Sequence, residues 1–222
     1  FSGMDRISPS CELAPADKPT QFKVAEQEAD VRYRFRNHDY TLADYMEHQR
    51  ATAVLIVQDG VILAEHYGYD RTRDMRMLSN SMAKTLVALA IGKALEDGSL
   101  RSLDDRVDQY VPELAGTLYG GTRIVDLLRM ASGAKYVEDY APTDDRARFL
   151  KTAAKQGVLA AAAQVNERAD APGTRFNYAG AQTEVLALVL QAATQRSLCD
   201  FVDDKLWKPM GAQAKATYLV RE

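Results

Sequence analysis

Apolar positions fall into two regimes along this chain. In Thr52–Val57 and Val61–Tyr67 they are closely spaced and rich in β-branched residues, and the two runs flank Asp59-Gly60. Such runs on either side of an Asp-Gly pair predict a tight β-hairpin. From Met82 to Ile91 every residue except Lys84 and Thr85 is apolar or alanine. That pattern predicts a helix buried on nearly all sides, with Gly98 as its stop. Further helices are predicted at Thr122–Met130, Asp145–Val165, Gln182–Gln195 and Asp200–Trp207, the last closed by Pro209. Ala171-Pro172-Gly173-Thr174 reads as a turn that delivers Arg175-Phe176-Asn177-Tyr178 to the next helix. Residues 1–50 are polar and read as an extended arm with one short helix near Leu42–Arg50. The order is arm, hairpin, then a mostly helical region, with no internal repeat.

Composition narrows the class. The 222 residues suffice for one substantial core or at most two small ones, and the 46% hydrophobic and 27% charged shares are those of an ordinary globular chain. The formal charge of −3 comes from 28 basic and 31 acidic residues mixed along the chain. No basic block therefore points to nucleic acid or an anionic membrane as a partner. No apolar run approaches the roughly 18 residues of a membrane span. Cys11 and Cys199 are the only cysteines, too few for a disulfide framework and without metal-ligand spacing. They read as incidental, the alternative being one bridge that ties the N-terminal arm down. The opening Phe1-Ser2-Gly3-Met4 fits a mature secreted product, a trimmed one or a processed precursor. Compartment is left open between periplasmic or secreted and cytoplasmic, leaning to the periplasm.

Chemistry concentrates at Ser81-Met82-Ala83-Lys84. On a helix, positions three apart share a face, so the Ser81 hydroxyl and the Lys84 amine come within reach of each other. Burial of that helix would favour a neutral lysine able to help deprotonate the serine. The competing reading is a helix-capping serine with Lys84 extended to solvent. The tetrad alone is weak, because Ser132-Gly133-Ala134-Lys135 repeats it. That second copy follows a helix end and precedes a glycine, so nothing holds its lysine on the serine's face. A serine–lysine nucleophile needs a group to pass the proton to the leaving group, and Tyr178 is the candidate. Tyr119, in Tyr119-Gly120-Gly121, has the same tyrosine-x-glycine form and serves as its control.

The ordered run extends well past the tetrad. It comprises the hairpin, Ser81-Met82-Ala83-Lys84, Leu103-Asp104-Asp105-Arg106-Val107, Leu127-Leu128 with Ser132-Gly133, Pro172-Gly173-Thr174-Arg175-Phe176-Asn177-Tyr178, and Leu206-Trp207-Lys208-Pro209-Met210-Gly211. From about residue 51 onward it resembles the penicillin-recognising serine hydrolases, which include class C β-lactamases, DD-peptidases and related esterases. Tyr136-Val137-Glu138-Asp139-Tyr140 is similar to the 6-aminohexanoate-dimer hydrolase branch.

The resemblance implies an α/β, β-lactamase/transpeptidase-like fold with an antiparallel sheet flanked by helices. Residues 51–222 would form the N-terminal portion of that domain. It further implies Ser81 as acylated nucleophile, Lys84 as activating partner and Tyr178 as proton shuttle. Tyr136, Tyr140 and Gly180 would line the substrate. A small ester or amide is the implied substrate, with no metal or organic cofactor. The rival readings are a catalytically silent relative that binds peptide or cell-wall ligand, and a plain helical structural domain.

Two departures qualify the resemblance. Many relatives carry Asn or Ser where this chain has Gly180, which argues against efficient β-lactam turnover. The family's third motif, a Lys/His-x-Gly strand that supplies an oxyanion donor, has no match after Tyr178. Loss of one such donor costs on the order of 10²–10³ in rate. The expectation is therefore that the C-terminal part of the sheet lies outside this chain. A second polypeptide, the rest of the same precursor, would complete the fold.

Overall fold

Ser10–Leu13, at the start of the chain, forms a strand (β1) whose hydrogen-bond partner is Ala216–Leu219, near its end. The computed structural model describes residues 3–220. Contacts divide them into two units, Pro19–Leu78 on one side and Gly3–Lys18 with the chain from Ser79 onward on the other.

In the first unit, strands β2 (Lys23–Val24), β3 (Arg32–Phe35) and β4 (His38–Thr41) precede helix α1 (Leu42–His48), β5 (Ala53–Gln58) and β6 (Val61–Tyr67). The Asp59-Gly60 pair turns as its sequence predicts. Both residues have positive φ, +49° and +76°, which the primed hairpin turn requires. β5 and β6 pair antiparallel, β2 joins β6 in parallel, and among the described residues β5 has no second neighbour. A second hairpin, β3–β4, turns on Arg36-Asn37, with φ +47° and +66°, and stacks Tyr33 on Tyr40 at 5.2 Å. Helix α1 starts with a capping box between Thr41 and Asp44. Residues 1–50, expected as an extended arm, thus carry four short strands and a helix. Arg36-Asn37 lacks the usual glycine, so local sequence did not mark that hairpin.

The second unit holds helices α2 (Ala83–Glu96), α3 (Ile124–Leu128), α4 (Asp145–Gln164), α5 (Gly180–Thr194) and α6 (Leu198–Val202), then strand β7 (Ala216–Leu219). A π-helical turn, Asp203–Trp207, continues α6. The predicted helices are present, but α4 is broken at Gly157, where φ is +85° and ψ 163°. A single interior glycine costs a helix only about 1 kcal/mol, too little by itself to predict a break.

The core lies between α2, α3, α4, α5 and α6, with Val87, Ile91, Leu127, Phe149, Val185, Val189 and Phe201 buried in it. Helix α2 departs from expectation. It buries Val87, Ala90, Ile91 and Ala94, while Leu89 stands 50% exposed on the opposite face. Only one side of α2 meets the core among the described residues, so the all-round apolar pattern overstates its burial.

Cys11 and Cys199 form a disulfide that joins β1 to α6, which corrects the incidental reading of the pair. Sequence could not decide between the two alternatives. The β1–β7 pairing brings the ends of the chain together, and the Ala14 N–H donates to Asp203 Oδ1 at 2.7 Å in the same corner.

Candidate active site

Ser81 sits in a 3₁₀ turn, Asn80–Met82, that leads directly into α2. Asn80 has φ +46°, a left-handed conformation that asparagine tolerates better than most residues. The helical turn then places Lys84 on Ser81's side, and Lys84 Nζ donates to Ser81 Oγ at 3.2 Å. From the other direction the Tyr178 hydroxyl donates to the same oxygen at 2.7 Å. Lys84 Nζ lies 5.2 Å from the centre of the Tyr178 ring, within cation–π range. The three residues form a closed triangle around one oxygen, drawn from α2 and from the turn before α5. Ser81 is exposed and Lys84 half-buried, so the serine is accessible to a substrate. Met82, the residue at the helix's N-cap position, makes no side-chain capping bond.

The turn that carries Tyr178 is fixed by buried side chains. Asn177 Nδ2 donates to the carbonyls of Ala134 and Tyr136, each at 3.1 Å. Gln182 is 1% exposed, donates through Nε2 to the Asn177 carbonyl and accepts the Ser132 N–H through Oε1. Both ends of the Gln182 amide and the Asn177 amide nitrogen therefore have partners, as burial demands. Helix α5 begins at Gly180 after Ala179, which has no side chain able to cap it. Glu138 Oε2 accepts the Gly180 N–H instead, at 2.6 Å. Glu138, Asn177 and Gln182 escaped the sequence reading. The available signal was the poor capping residue before a helix that had to start there.

The second serine–lysine tetrad is built differently. Ser132 is buried and its hydroxyl accepts the Ala134 N–H, closing its own turn. Lys135 pairs with Glu167 at 2.7 Å, and that partner holds the ammonium above its usual range. Tyr119, the control for Tyr178, is fully buried, and its hydroxyl is the one buried side-chain polar atom among the described residues without a hydrogen bond. Burial pushes that hydroxyl far above the ordinary tyrosine range.

The other predicted residues are dispersed. Tyr136 is buried in the core, and burial, aided by the Glu138 carboxylate, raises its hydroxyl far above the ordinary range. Tyr140 is 69% exposed with φ +66°, and the Arg146 guanidinium lies 5.0 Å from its ring centre. Gly180 has its backbone donor committed to Glu138. Of the three, Tyr140 alone offers an exposed side chain.

No group of His, Cys, Asp and Glu among the described residues could hold a metal ion. No single helix there is long and apolar enough to cross a membrane. A separate cavity of about 610 Å³ lies in the first unit, lined by Glu28, Val31, Leu42, Met46, His66 and Tyr67 among others, and includes none of the triangle.

Comparison with known proteins adds a family to this geometry. The family model described as Beta-lactamase matches residues 39–219. The 6-aminohexanoate-dimer hydrolase of Paenarthrobacter ureafaciens is 29% identical over 187 residues, which cover 81% of this chain and 47% of that protein. A solved structure assigned by name as a 6-aminohexanoate-dimer hydrolase from Bacillus anthracis superposes with a TM-score of 0.87 at 20% identity, covering 100% of this chain and 61% of that one. A class C β-lactamase structure superposes with a TM-score of 0.54 at 20% identity, covering 74% of this chain and 45% of its own. The chain thus spans about half the length of the relatives it matches. The fold is the β-lactamase/transpeptidase-like one, with mixed helices and sheets.

Proposed function

The chain belongs to the beta-lactamase family, and from that premise we propose that it is a serine hydrolase acting on a small ester or amide through a Ser81 acyl-enzyme. One observation carries the reading: Ser81 Oγ receives hydrogen bonds from both Lys84 and Tyr178 while remaining exposed. For the attack one of these two neighbours turns from donor to acceptor and takes the serine proton.

In the first step Ser81 Oγ bonds to the substrate's carbonyl carbon, and its proton passes into the Lys84–Tyr178 pair. The carbonyl–leaving-group bond then breaks, and the Tyr178 hydroxyl gives a proton to the departing alcohol or amine. Water attacks the acyl-enzyme as it gives a proton to the same pair, the carboxylic acid leaves, and the pair returns that proton to Ser81 Oγ. The relationship to a 6-aminohexanoate-dimer hydrolase supports linear amides beside esters as substrates. The exposed Tyr140 ring is the candidate substrate contact, and Gly180 itself brings no side chain to the site.

The reading includes a further stretch of polypeptide, the remainder of a precursor, that completes the sheet and the site. The greater length of the relatives supports it. Native mass spectrometry of the active species tests this part, and an active monomer containing only these residues would discard it.

A fluorophosphonate probe tests the chemistry. It should add one mass to the protein, and Ser81→Ala should abolish the addition. Labelling that survives this substitution removes Ser81 as nucleophile.

A further inference from the structure

The Gly180–Glu138 contact takes no part in the proposed proton transfers. Gly180 is the first residue of α5, and its N–H is among those a helix start leaves without an internal partner. The preceding Ala179 is fully buried and has no capping atom. Glu138 reaches in from the loop before α4, with its side chain only 5% exposed. Its second oxygen faces Arg146 Nε at 3.7 Å, so the buried charge is partnered.

The contact also depends on the absence of a side chain at 180. A Cβ there would lie 3.3 Å and 3.6 Å from the two carboxylate oxygens. The Glu138 carboxylate therefore occupies the space toward which a side chain at 180 would grow. Tyr178 lies two residues before this anchor, and its hydroxyl must meet Ser81 Oγ at 2.7 Å. Displacement by an ångström of a group in this position costs about 10²-fold in rate.

We propose that Glu138 is a positioning residue for the Ser81 chemistry: it caps α5 from another element and thereby holds Tyr178 on Ser81, with Gly180 leaving room for it. This rests on the Ser81 acyl-enzyme reading. Reach matters here rather than charge alone. Glu138→Gln keeps an acceptor at the same distance without charge. Glu138→Asp keeps charge but is one methylene too short.

The experiment pairs two measurements on the full chain, the hydrogen exchange of the 177–182 amides and the labelling kinetics with a fluorophosphonate. In Glu138→Asp and Glu138→Ala the Gly180 amide should exchange at least about tenfold faster. The maximal labelling rate should fall by about 10²-fold in both. The half-saturating probe concentration should stay put, because the Glu138 side chain is buried and acts through the placement of Tyr178. Glu138→Gln should recover labelling to within about fivefold of the parent.

Unchanged exchange in Glu138→Asp overturns the cap, whatever the labelling does. Faster exchange with undiminished labelling overturns the positioning role, and so does an Asp variant that outperforms Gln. If Glu138→Ala fails to fold, the Asp–Gln comparison decides alone. A parent protein that never labels at Ser81 refutes the hydrolase reading itself, and the exchange result then judges the cap separately.

Discussion

Ser81 and Ser132 share one tetrad, and their surroundings separate them. Ser132 Oγ is spent on its own turn and Lys135 on Glu167, whereas Ser81 Oγ collects Lys84 and Tyr178. Tyr178→Phe keeps the ring near Lys84 and deletes only the hydroxyl. Its labelling rate is expected to drop by about 10²–10⁴-fold, the span associated with a lost proton-transfer group, and stopped-time mass spectrometry would measure it.

Asp144 makes a different prediction. Its carboxylate accepts the N–H groups of Ala147, Tyr140 and Asp139, and the Ala147 bond above all holds it below the usual value near 3.8. A carboxyl depressed in the folded state stabilises the protein above its unfolded pKa and loses that contribution as pH falls through the folded value. Asp144→Asn should therefore flatten the decline of melting temperature below about pH 4. Thermal melts across the acid range would show an unchanged slope if the cap contributes nothing. Two consecutive N–H groups of the loop that carries Tyr140, those of Asp139 and Tyr140, are held through this side chain.

Among the elements, periodicity identified the helices, and the 3.6-residue repeat is what a single sequence displays best. It could not show that α2 meets the core on one face only, since an apolar residue looks the same beside a neighbour or beside solvent. Nor could it show Glu138 capping α5, a bond between elements far apart in sequence. The Ser81–Lys84 spacing was legible because both residues lie within one helical turn. Tyr178 needed the family's order of motifs to stand out from 11 tyrosines.

Helix α4 provides the element-scale test. The conformation at Gly157 belongs to a region open almost solely to glycine. Gly157→Ala should lower stability by about 2–3 kcal/mol, read from urea midpoints. An equal midpoint would mean that the break closes into continuous helix at no cost.

At the scale of the molecule, the second unit draws together residues from both ends of the sequence. The Cys11–Cys199 bridge encloses a sequence separation of 188 residues, and the β1–β7 pairing runs beside it. Cross-links that close long loops restrict the unfolded chain most. Cys199→Ser is expected to cost about 2–5 kcal/mol, and a melt in reducing agent should reproduce that loss in the parent but not in the variant. Neither the bridge nor its strand was legible locally, because each half is meaningless without the other.

The same closure bears on the order of events during biosynthesis. Chains emerge at about 5–20 residues per second. The strand at Ser10–Leu13 therefore waits tens of seconds before Ala216–Leu219 exists to receive it. Until Cys199 follows, 188 residues later, the Cys11 thiol travels without its mate, open to oxidants and to exchange with any disulfide it meets. A segment made long after Ser10–Leu13 fastens that strand, and a translation product interrupted before it would carry a loose strand and a reactive sulfur.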